Sequence, residues 1–468
     1  IVSKTQTALA IIARNDGTRE QLGSWYEDAL LKCFQAIPPE LRQTIVAIGV
    51  SGQQHGFVPL DQDGELIRPV KLWNDTSTAA ECVELTGLAG GQEALLNKTG
   101  MLMLPGYTAP KIYWLKKHEP ENYARLRHVL LPHDFINFLL TDNYATEYGD
   151  ASGTALFDVR KRAWSTSVCE LIDPNLLSFL PELVESDKPV GVVSEKAAGR
   201  LGIPQGTIVA AGGGDNMMSA IGTGCVRDGF LTMSLGTSGT LYGYSKTPVI
   251  DSEGNLAAFC SSSGGWLPLL CTMNCTVASE QVRSLFGMSV EQMNEAAEAS
   301  AIGAEGIVVL PFFNGERIPN LPEGRASIMG GTAANFSRAN IMRGAMEAAI
   351  FGMRIGLEAF NRMRFPAREI RLVGGGSKSP VWRDIAANVT ALPVCIPKEE
   401  EAAAFGAALQ ALWCLENASS NKRTSIEDIV DEHVGLEESM NIEPDVTKVG
   451  EYENAYKEYM KYLSALSP

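Results

Sequence analysis

The segment VAAGGGDNMMSAIGTGC, residues 209–225, predicts a strand, a glycine turn and a helix in direct succession. Apolar residues open it, three glycines follow, and Asp215 comes directly after them. Glycine has no Cβ, so a glycine turn lets the backbone approach a ligand closely. An aspartate at the start of a helix is often a helix cap, and its carboxylate is then fixed in position. Asp215 is therefore predicted to follow the carboxyl end of a strand, as a helix cap, as a group that acts on a ligand, or as both.

Three further segments share this design of an apolar, β-branched strand that ends in a glycine turn. They are TIVAIGVSGQQHG at residues 44–56, GFLTMSLGTSGT at residues 229–240 and EIRLVGGGS at residues 369–377. Helical patterns lie between them, which predicts an α/β fold with largely parallel sheets. Ligands of such sheets bind beyond the carboxyl ends of the strands, so the repeated turns predict a nucleotide or a phosphorylated ligand.

Length and charge narrow the class of protein. A chain of 468 residues predicts two or three domains. The net charge of −16 argues against binding to nucleic acid or to an anionic membrane surface. It does not argue against ATP or a sugar phosphate, because backbone donors and a bound cation can outweigh the global charge locally.

Hydropathy and cysteine usage predict a cytoplasmic protein. No apolar run approaches the roughly 20 residues that cross a bilayer, and no signal-peptide pattern opens the sequence. The nine cysteines are scattered, without the spacing of a disulfide framework or of a zinc site. Reduced thiols in the cytosol are therefore expected.

The glycine turns lack the spacing of two well-known nucleotide motifs. GGGDNM and GGGSKS do not fit G-x-G-x-x-G, and no turn fits G-x-x-x-x-G-K-[ST]. This argues against a dinucleotide-dependent dehydrogenase and against a P-loop enzyme. SLGTSGT instead places the hydroxyls of Thr237 and Ser238 beside Gly236, which suits terminal phosphates, and the flexible turn GGGSKSPVW suits a nucleoside.

In order and spacing, the motifs AGGGDN, LGTSG, PFFNGER and RLVGGGSKSPVWRDI resemble the FGGY family of carbohydrate kinases. The resemblance covers nearly the whole chain. It implies two actin-like, ribonuclease-H-like ATPase domains with a cleft between them, the fold that hexokinase, actin and the heat-shock ATPases share. Within the family, VSGQQHG, LWND, LPHDFINFLLT and TEYGDASGT most resemble the members that phosphorylate D-xylulose.

The resemblance also implies a division along the chain. Residues 1–226 correspond to an N-terminal, sugar-binding domain. Residues 227–468 correspond to a C-terminal, nucleotide-binding domain, with the last helix packing back on the body. We expect the two domains to close around the ligands by a hinge near residues 225–229.

For those members the reaction is the transfer of the γ-phosphate of ATP, with Mg²⁺, to the C5 hydroxyl of D-xylulose. By resemblance, Asp215 is the general base, and further positions contact the ligands: Gln54, His55 and Asn216 the sugar, Gly236, Thr237 and Ser238 the phosphates, and Gly374, Gly375 and Gly376 the adenosine. A carboxylate is chemically suited to accept the proton of the alcohol. The expected partners are a small sugar and MgATP. Homodimers are common among such enzymes, although no stretch of this sequence indicates an interface.

Two departures from the family pattern leave alternatives open. The family's first strand and its D-x-G-[TS]-x-x-x-K-type hairpin, which form a first phosphate loop and supply an aspartate toward Mg²⁺, are not found. The segment IVSKTQTALAII at residues 1–12 is predicted to be the second strand of that hairpin. Many relatives also have an arginine soon after the aspartate of LWND, where Thr76, Ser77 and Thr78 stand here.

The alternatives are a kinase for ribulose, glycerol or another polyol, or a catalytically impaired protein that binds a sugar or a nucleotide. A filament-forming or chaperone-like ATPase of the same superfamily is disfavoured by the sugar-pocket motif GQQHG. Glu316 and Arg317 of PFFNGER are expected either to act in the site or to form a hinge or a structural ion pair.

Overall fold

The computed structural model describes residues 1–419 and 423–466. Its strands are β1 Ile12–Ala13, β2 Arg19–Gln21, β3 Ala47–Ile48, β4 Ser51–Gly52, β5 Val58–Leu60, β6 Val70–Lys71, β7 His128–Leu130, β8 Ala145–Glu147, β9 Phe157–Asp158, β10 Ala163–Trp164, β11 Glu182–Val184, β12 Pro189–Val192, β13 Ile208–Ala210, β14 Gly213–Gly214, β15 Phe230–Leu235, β16 Gly239–Gly243, β17 Ala257–Cys260, β18 Trp266–Thr272, β19 Val308–Leu310, β20 Ser327–Met329, β21 Glu369–Val373 and β22 Val394–Cys395.

Helices alternate with these strands along the chain. The α-helices are α1 Gly23–Gln35, α2 Pro39–Arg42, α3 Ala79–Leu88, α4 Gln92–Thr99, α5 Thr108–His118, α6 Pro120–Arg125, α7 Pro132–Thr141, α8 Tyr148–Ser152, α9 Thr166–Ile172, α10 Glu195–Leu201, α11 Asp215–Gly222, α12 Thr276–Leu285, α13 Val290–Glu298, α14 Arg338–Arg362, α15 Pro380–Thr390, α16 Ala402–Ser419, α17 Ile426–His433 and α18 Val446–Ser464. Short 3₁₀ helices cover Leu176–Phe179, Ala304–Gly306, Gly375–Lys378 and Glu438–Met440.

The largest sheet has the strand order β17-β18-β16-β15-β21-β22. β15, β21 and β22 are parallel, whereas β16, β18 and β17 continue the sheet in antiparallel fashion. The predicted α/β fold is confirmed, but the prediction of largely parallel sheets is wrong for this sheet. The physical reason is the short turn between β15 and β16, because a connection of that length joins antiparallel neighbours only.

Short strands form the sheets of the N-terminal half. β3 and β13 are parallel, with Ile48 opposite Val209. Further along the same two segments, β4 and β14 are also parallel, with Gly52 opposite Gly214. The two segments therefore run in the same direction and end at the same edge.

Helix α11 packs closely against helix α16, which comes from a distant part of the chain. A Cβ atom on Gly222 would overlap the backbone carbonyl of Ala402, and one on Gly406 would overlap that of Met218. The two helices therefore touch through their backbones, which glycine alone allows at such contact points. This contact holds α11, the helix that begins at Asp215, against the body of the protein.

Helix α14 is buried along most of its length, and the last helix packs on it. The rings of Tyr456 and Tyr459 lie 5.5 and 5.3 Å from the ring of Phe351, measured between centroids. Tyr452 and Leu463 of the same helix are also buried. The division of the chain at residue 226 is not decided by this packing and stays a prediction.

The N-terminal segment differs from its predicted conformation. Residues 1–11 form no strand, and only Ile12 and Ala13 pair with β2. β2 is three residues long, so it offers no partners for a longer strand. Among the helices of the described residues, none combines the length and the apolar character that crossing a membrane requires.

Candidate functional site

The glycine turns of the N-terminal half bring the predicted sugar-contacting residues together. Because β4 and β14 are parallel and in register, Gln54 and Asp215 leave the sheet at the same edge. The side-chain amide of Asn216 donates a hydrogen bond to Gln54 Oε1 at 2.8 Å. A Cβ atom on Gly214 would lie 2.5 Å from Gln54 Cγ, so glycine is required for this approach. The structure therefore joins three of the predicted site residues into one cluster.

Asp215 is not a helix cap, which corrects one of the two roles considered for it. It is the first residue of α11, and the capping position before it is Gly214. Asp215 Oδ1 accepts hydrogen bonds from the backbone N–H of Asn216 at 2.9 Å and from the Asn216 side chain at 3.2 Å. Its carboxylate is open to solvent. A carboxylate that is oriented but not consumed by capping can accept a proton from a ligand.

The surroundings of Asp215 raise its pKa. Although solvent reaches the carboxylate, the protein atoms around it remove part of its hydration and raise its pKa to about 6, while hydrogen bonds from backbone N–H groups favour the charged form. Its negative charge acts on Asp150 of the N-terminal half and on Cys271 of the C-terminal half. Asp215 is therefore mostly ionised at neutral pH and faces both halves.

His55 is held as a neutral acceptor beside this cluster. Burial, together with the positive charges of Lys111 and Arg317, lowers its pKa to about 3. Its Nδ1 atom lies 2.7 Å from the carbonyl oxygen of Gly153. A carbonyl can only accept, so Nδ1 carries the proton and Nε2 keeps a free lone pair. The ring packs against Tyr107 at a centroid distance of 4.5 Å.

The backbone of His55 has a left-handed conformation that its neighbours stabilise. Its φ angle is 62°, which is uncommon outside glycine. Its carbonyl accepts hydrogen bonds from Lys111 Nζ at 2.7 Å and from Thr108 Oγ1 at 3.2 Å. Lys111 is fully buried and also donates to Gly106 O at 2.7 Å, and burial lowers its pKa well below the usual range. Sequence reasoning missed Lys111, because a lysine in the segment PKIYWLKKH carries no signal of burial.

A buried histidine, His133, lies between two aspartates beside the same cluster. His133 Nδ1 lies 2.7 Å from Asp150 Oδ2, and His133 Nε2 lies 2.9 Å from Asp134 Oδ1. Burial opposes the charge on His133, but the two carboxylates raise its pKa well above the usual range. Within the described residues, Gln54 Nε2 and Asp150 Oδ1 are buried atoms without a hydrogen-bond partner. A polar ligand beside Gln54 would satisfy its free donor.

The glycine turn after β15 forms a second candidate site. The carbonyl of Gly236 accepts hydrogen bonds from Thr276 N at 3.0 Å and Thr276 Oγ1 at 2.9 Å, and the carbonyl of Thr237 accepts one from Cys275 N at 2.9 Å. The backbone N–H groups of Gly236, Thr237 and Ser238 have no acceptor within the part of the chain that the structure describes. Successive free N–H groups on an open turn can bind phosphate oxygens.

The turn after β21 lies directly beside the first one. β15 and β21 are parallel, with Ser234 opposite Val373, so both turns leave the sheet at one edge. Gly374 has a φ angle of 87°, and a Cβ atom there would lie 2.7 Å from the carbonyl oxygen of Leu235. A Cβ atom on Gly375 would contact nothing within 4 Å, and Gly376 packs on the Leu235 side chain. The predicted phosphate and adenosine positions are therefore neighbours in space.

Glu316 and Arg317 do not form the ion pair considered for them. The Glu316 carboxylate is buried and accepts hydrogen bonds from Met273 N at 2.7 Å, Asn274 N at 3.2 Å and Arg317 N at 2.7 Å. Glu316 thereby anchors Met273 and Asn274 at the start of the β18–α12 connection. The residue after them, Cys275, contacts the glycine turn of residues 236–238 that follows β15, the phosphate turn. The Arg317 guanidinium has no hydrogen bond or ion pair within residues 1–419 and 423–466.

The comparisons with known proteins agree with this arrangement. The N-terminal domain of the FGGY family of carbohydrate kinases matches residues 1–222, and the C-terminal domain of that family matches residues 231–415. A xylulose kinase of Haemophilus influenzae is 42% identical over 97% of this chain and 93% of its own length. The crystal structure of a xylulose kinase from Bifidobacterium adolescentis is 28% identical, with a TM-score of 0.78 over 93% of this chain and 91% of that chain.

A second solved structure supports the fold alone. The ligand-bound xylulose kinase of Lactobacillus acidophilus is 21% identical, with a TM-score of 0.90 over 98% of this chain and 92% of that chain. Both domain matches, in this order and over most of the sequence, together with a relative at 42% identity, settle the family. The chain belongs to the FGGY family of carbohydrate kinases.

Proposed function

We propose that this carbohydrate kinase transfers the γ-phosphate of ATP to the C5 hydroxyl of D-xylulose, giving D-xylulose 5-phosphate and ADP. The observation that carries the proposal is the ionised Asp215 carboxylate, which is open to a ligand and is oriented by Asn216 beside Gln54. The name of the relative that is 42% identical supports the choice of sugar.

The sugar is held by donors and acceptors that the protein leaves unpaired. Gln54 Nε2 offers a buried donor, and His55 Nε2 offers an acceptor in a neutral ring. A hydroxyl group can serve both, because it donates one hydrogen bond and accepts others. The apolar rings of Tyr107 and Phe259 beside His55 exclude water from this side of the sugar.

Asp215 acts as the general base in the transfer step. The C5 oxygen of the sugar forms a bond to the γ-phosphorus, and the bond from that phosphorus to the bridging oxygen of ADP breaks. The C5 hydroxyl loses its proton to the Asp215 carboxylate. A base with a pKa of about 6 is ionised at neutral pH and still basic enough to accept a proton in a loose transition state.

The nucleotide is bound by the two turns at the edge of the large sheet. The free N–H groups of Gly236, Thr237 and Ser238 bind phosphate oxygens. The open space at Gly375 and the close approach of Gly374 to Leu235 suit an adenosine that lies flat on the turn. In this arrangement the phosphates lie at the end of β15 and the adenosine lies at the end of its neighbour β21.

The residues also fit a magnesium ion held mainly by ATP. Among the described residues no group of three or more His, Cys, Asp or Glu side chains forms a metal site by itself. Mg²⁺ characteristically keeps several waters and binds substrate phosphates, so ATP would supply most of its ligands and Asp215 stays free to act as the base. When bound, Mg²⁺ would neutralise charge on the phosphates.

A coupled ADP-release assay tests the proposed function. Wild-type protein is assayed with MgATP and a panel of D-xylulose, D-ribulose, L-ribulose, glycerol and gluconate. We expect D-xylulose to give the highest kcat/KM, and phosphorus NMR of the product to show coupling to the C5 protons. A higher kcat/KM with another polyol would overturn the choice of sugar. A rate of ADP release that does not increase with any of these sugars would overturn the proposed sugar phosphorylation.

A further inference from the structure

Arg317 carries an unpaired positive charge at the edge of the candidate site. Its side chain is half-buried, and its guanidinium has no hydrogen bond or ion pair with any residue that the structure describes. The protein has a net charge of −16, so carboxylate partners are abundant elsewhere on it. A half-buried guanidinium without a partner points to an anion that binds at this position.

Hydrogen bonds connect the backbone of Arg317 to the phosphate turn. The Glu316 carboxylate accepts from the backbone N–H of Arg317 at 2.7 Å and from Met273 N at 2.7 Å. The same segment then continues through Cys275, whose N–H donates to the Thr237 carbonyl at 2.9 Å. Arg317 and the phosphate turn are therefore held by one short segment between β18 and α12.

The Arg317 charge also reaches the sugar side of the site. Burial lowers the pKa of His55 and raises that of Cys271, and the Arg317 charge acts to lower the pKa of both groups. Cys271 also lies within the influence of the Asp215 charge. The guanidinium therefore lies within electrostatic range of His55 and Cys271, while the backbone of Arg317 is linked through Glu316 to the phosphate turn.

We propose that the Arg317 guanidinium binds the phosphoryl group while it passes from ATP to the sugar, an inference that rests on the proposed kinase function. The transferring group carries its charge on three equatorial oxygens, and the planar guanidinium can bind two of them at once. In this step the guanidinium acts only as a hydrogen-bond donor. The proton of the sugar hydroxyl goes to Asp215, and the broken P–O bond leaves its electrons on ADP.

Steady-state kinetics of three variants test this role. In Arg317→Gln we expect kcat to fall by roughly 10²–10³, the loss typical of one missing donor to a developing anion. The KM for the sugar should change little, because the contact forms mainly in the transition state. Arg317→Lys should retain part of the rate. Arg325→Gln is the matched control, since Arg325 is 73% exposed and pairs only loosely with Glu323 at 3.6 Å.

A transition-state mimic supplies a second measurement. Calorimetry compares the affinity for ADP alone with that for ADP plus aluminium fluoride, both in the presence of D-xylulose. The wild-type protein should gain affinity from aluminium fluoride, whereas Arg317→Gln should lose that gain and bind ADP and D-xylulose as the wild type does. Unfolding temperatures of all variants identify any loss caused by misfolding.

The outcomes separate this inference from the proposed function. A wild-type kcat in Arg317→Gln, or a defect confined to the KM of the sugar, would overturn the role of Arg317 while the kinase function stands. Absence of sugar-dependent ADP release by the wild-type protein with every sugar would overturn both. If a different sugar proves to be the substrate, the same variants are assayed with that sugar and the same results are expected.

Discussion

His55 Nδ1 donates its proton to the carbonyl oxygen of Gly153 at 2.7 Å, and this single bond decides which ring nitrogen remains free. Because burial and the nearby positive charges hold the pKa of His55 at about 3, the ring stays neutral over the working pH range. His55 therefore acts as a hydrogen-bond acceptor for the sugar and neither as a cation nor as a base.

Removing the His55 ring should weaken sugar binding. His55→Ala loses the acceptor, so we expect the KM for D-xylulose to rise about tenfold, the cost of roughly one hydrogen bond, with the KM for ATP unchanged. His55→Asn is the matched variant, because asparagine tolerates the left-handed backbone and can still donate to Gly153. Both variants should bind the sugar weakly in steady-state kinetics. A wild-type KM in His55→Asn would limit His55 to supporting the loop.

The pH profile should report the ionisation of Asp215. Its pKa is raised to about 6, and the base must be ionised to accept a proton, so kcat/KM should fall as the pH drops below 6. The fall should approach about tenfold per pH unit, and His55 should add no further step above about pH 5. Rates are measured between about pH 5 and pH 9, with circular dichroism at each pH to confirm folding.

Other buried groups titrate in the same range, so a control is needed. Burial raises the pKa of Asp150 to about 6 and that of Glu147 to about 7. The residual rate of Asp215→Asn should lack the acidic limb if Asp215 causes it. An acidic limb that persists in Asp215→Asn, or a profile that stays flat to about pH 5, would contradict the assignment.

Alanine variants of two neighbouring glycines distinguish the effect of backbone strain on stability from an effect on nucleotide binding. Gly374→Ala combines a φ angle of 87° with a clash against Leu235 O, so it should lower the free energy of unfolding by about 1–3 kcal/mol. Gly375→Ala meets no atom within 4 Å, so it should leave stability unchanged and raise the KM for ATP, since its methyl group takes space that we assign to adenosine. Thermal unfolding and ATP kinetics check the pair. Equal stability losses in both would show that strain is not specific to Gly374.

The strand–turn motifs could be predicted from sequence, because in each of the four segments an apolar strand runs directly into its own glycine turn. Parallel pairing then places the ends of such strands at one edge, as Gly52 opposite Gly214 shows. The same logic explains why the turns after β15 and β21 are neighbours, since these two strands are also parallel. The α/β fold followed from the alternation of strands and helices.

Long-range contacts could not be predicted in this way. The buried lysine Lys111 stabilises a carbonyl more than 50 positions away, and no local pattern encodes that partner. The packing of α16 on α11 depends on Gly406 meeting Met218, residues far apart in the chain. Glu316 and Arg317 are adjacent in sequence and suggested an ion pair, yet the carboxylate turns to backbone N–H groups and the guanidinium does not meet it.

The most direct test of the account is the Asp215→Asn variant, measured for both turnover and sugar binding. Asparagine keeps the oxygen that accepts from Asn216 but cannot take a proton, so we predict that kcat falls by roughly 10²–10⁴ while calorimetry shows D-xylulose binding preserved. Asp63→Asn, a change at an exposed aspartate, should have no effect. A turnover close to that of the wild type in Asp215→Asn would contradict the central claim that this carboxylate is the base.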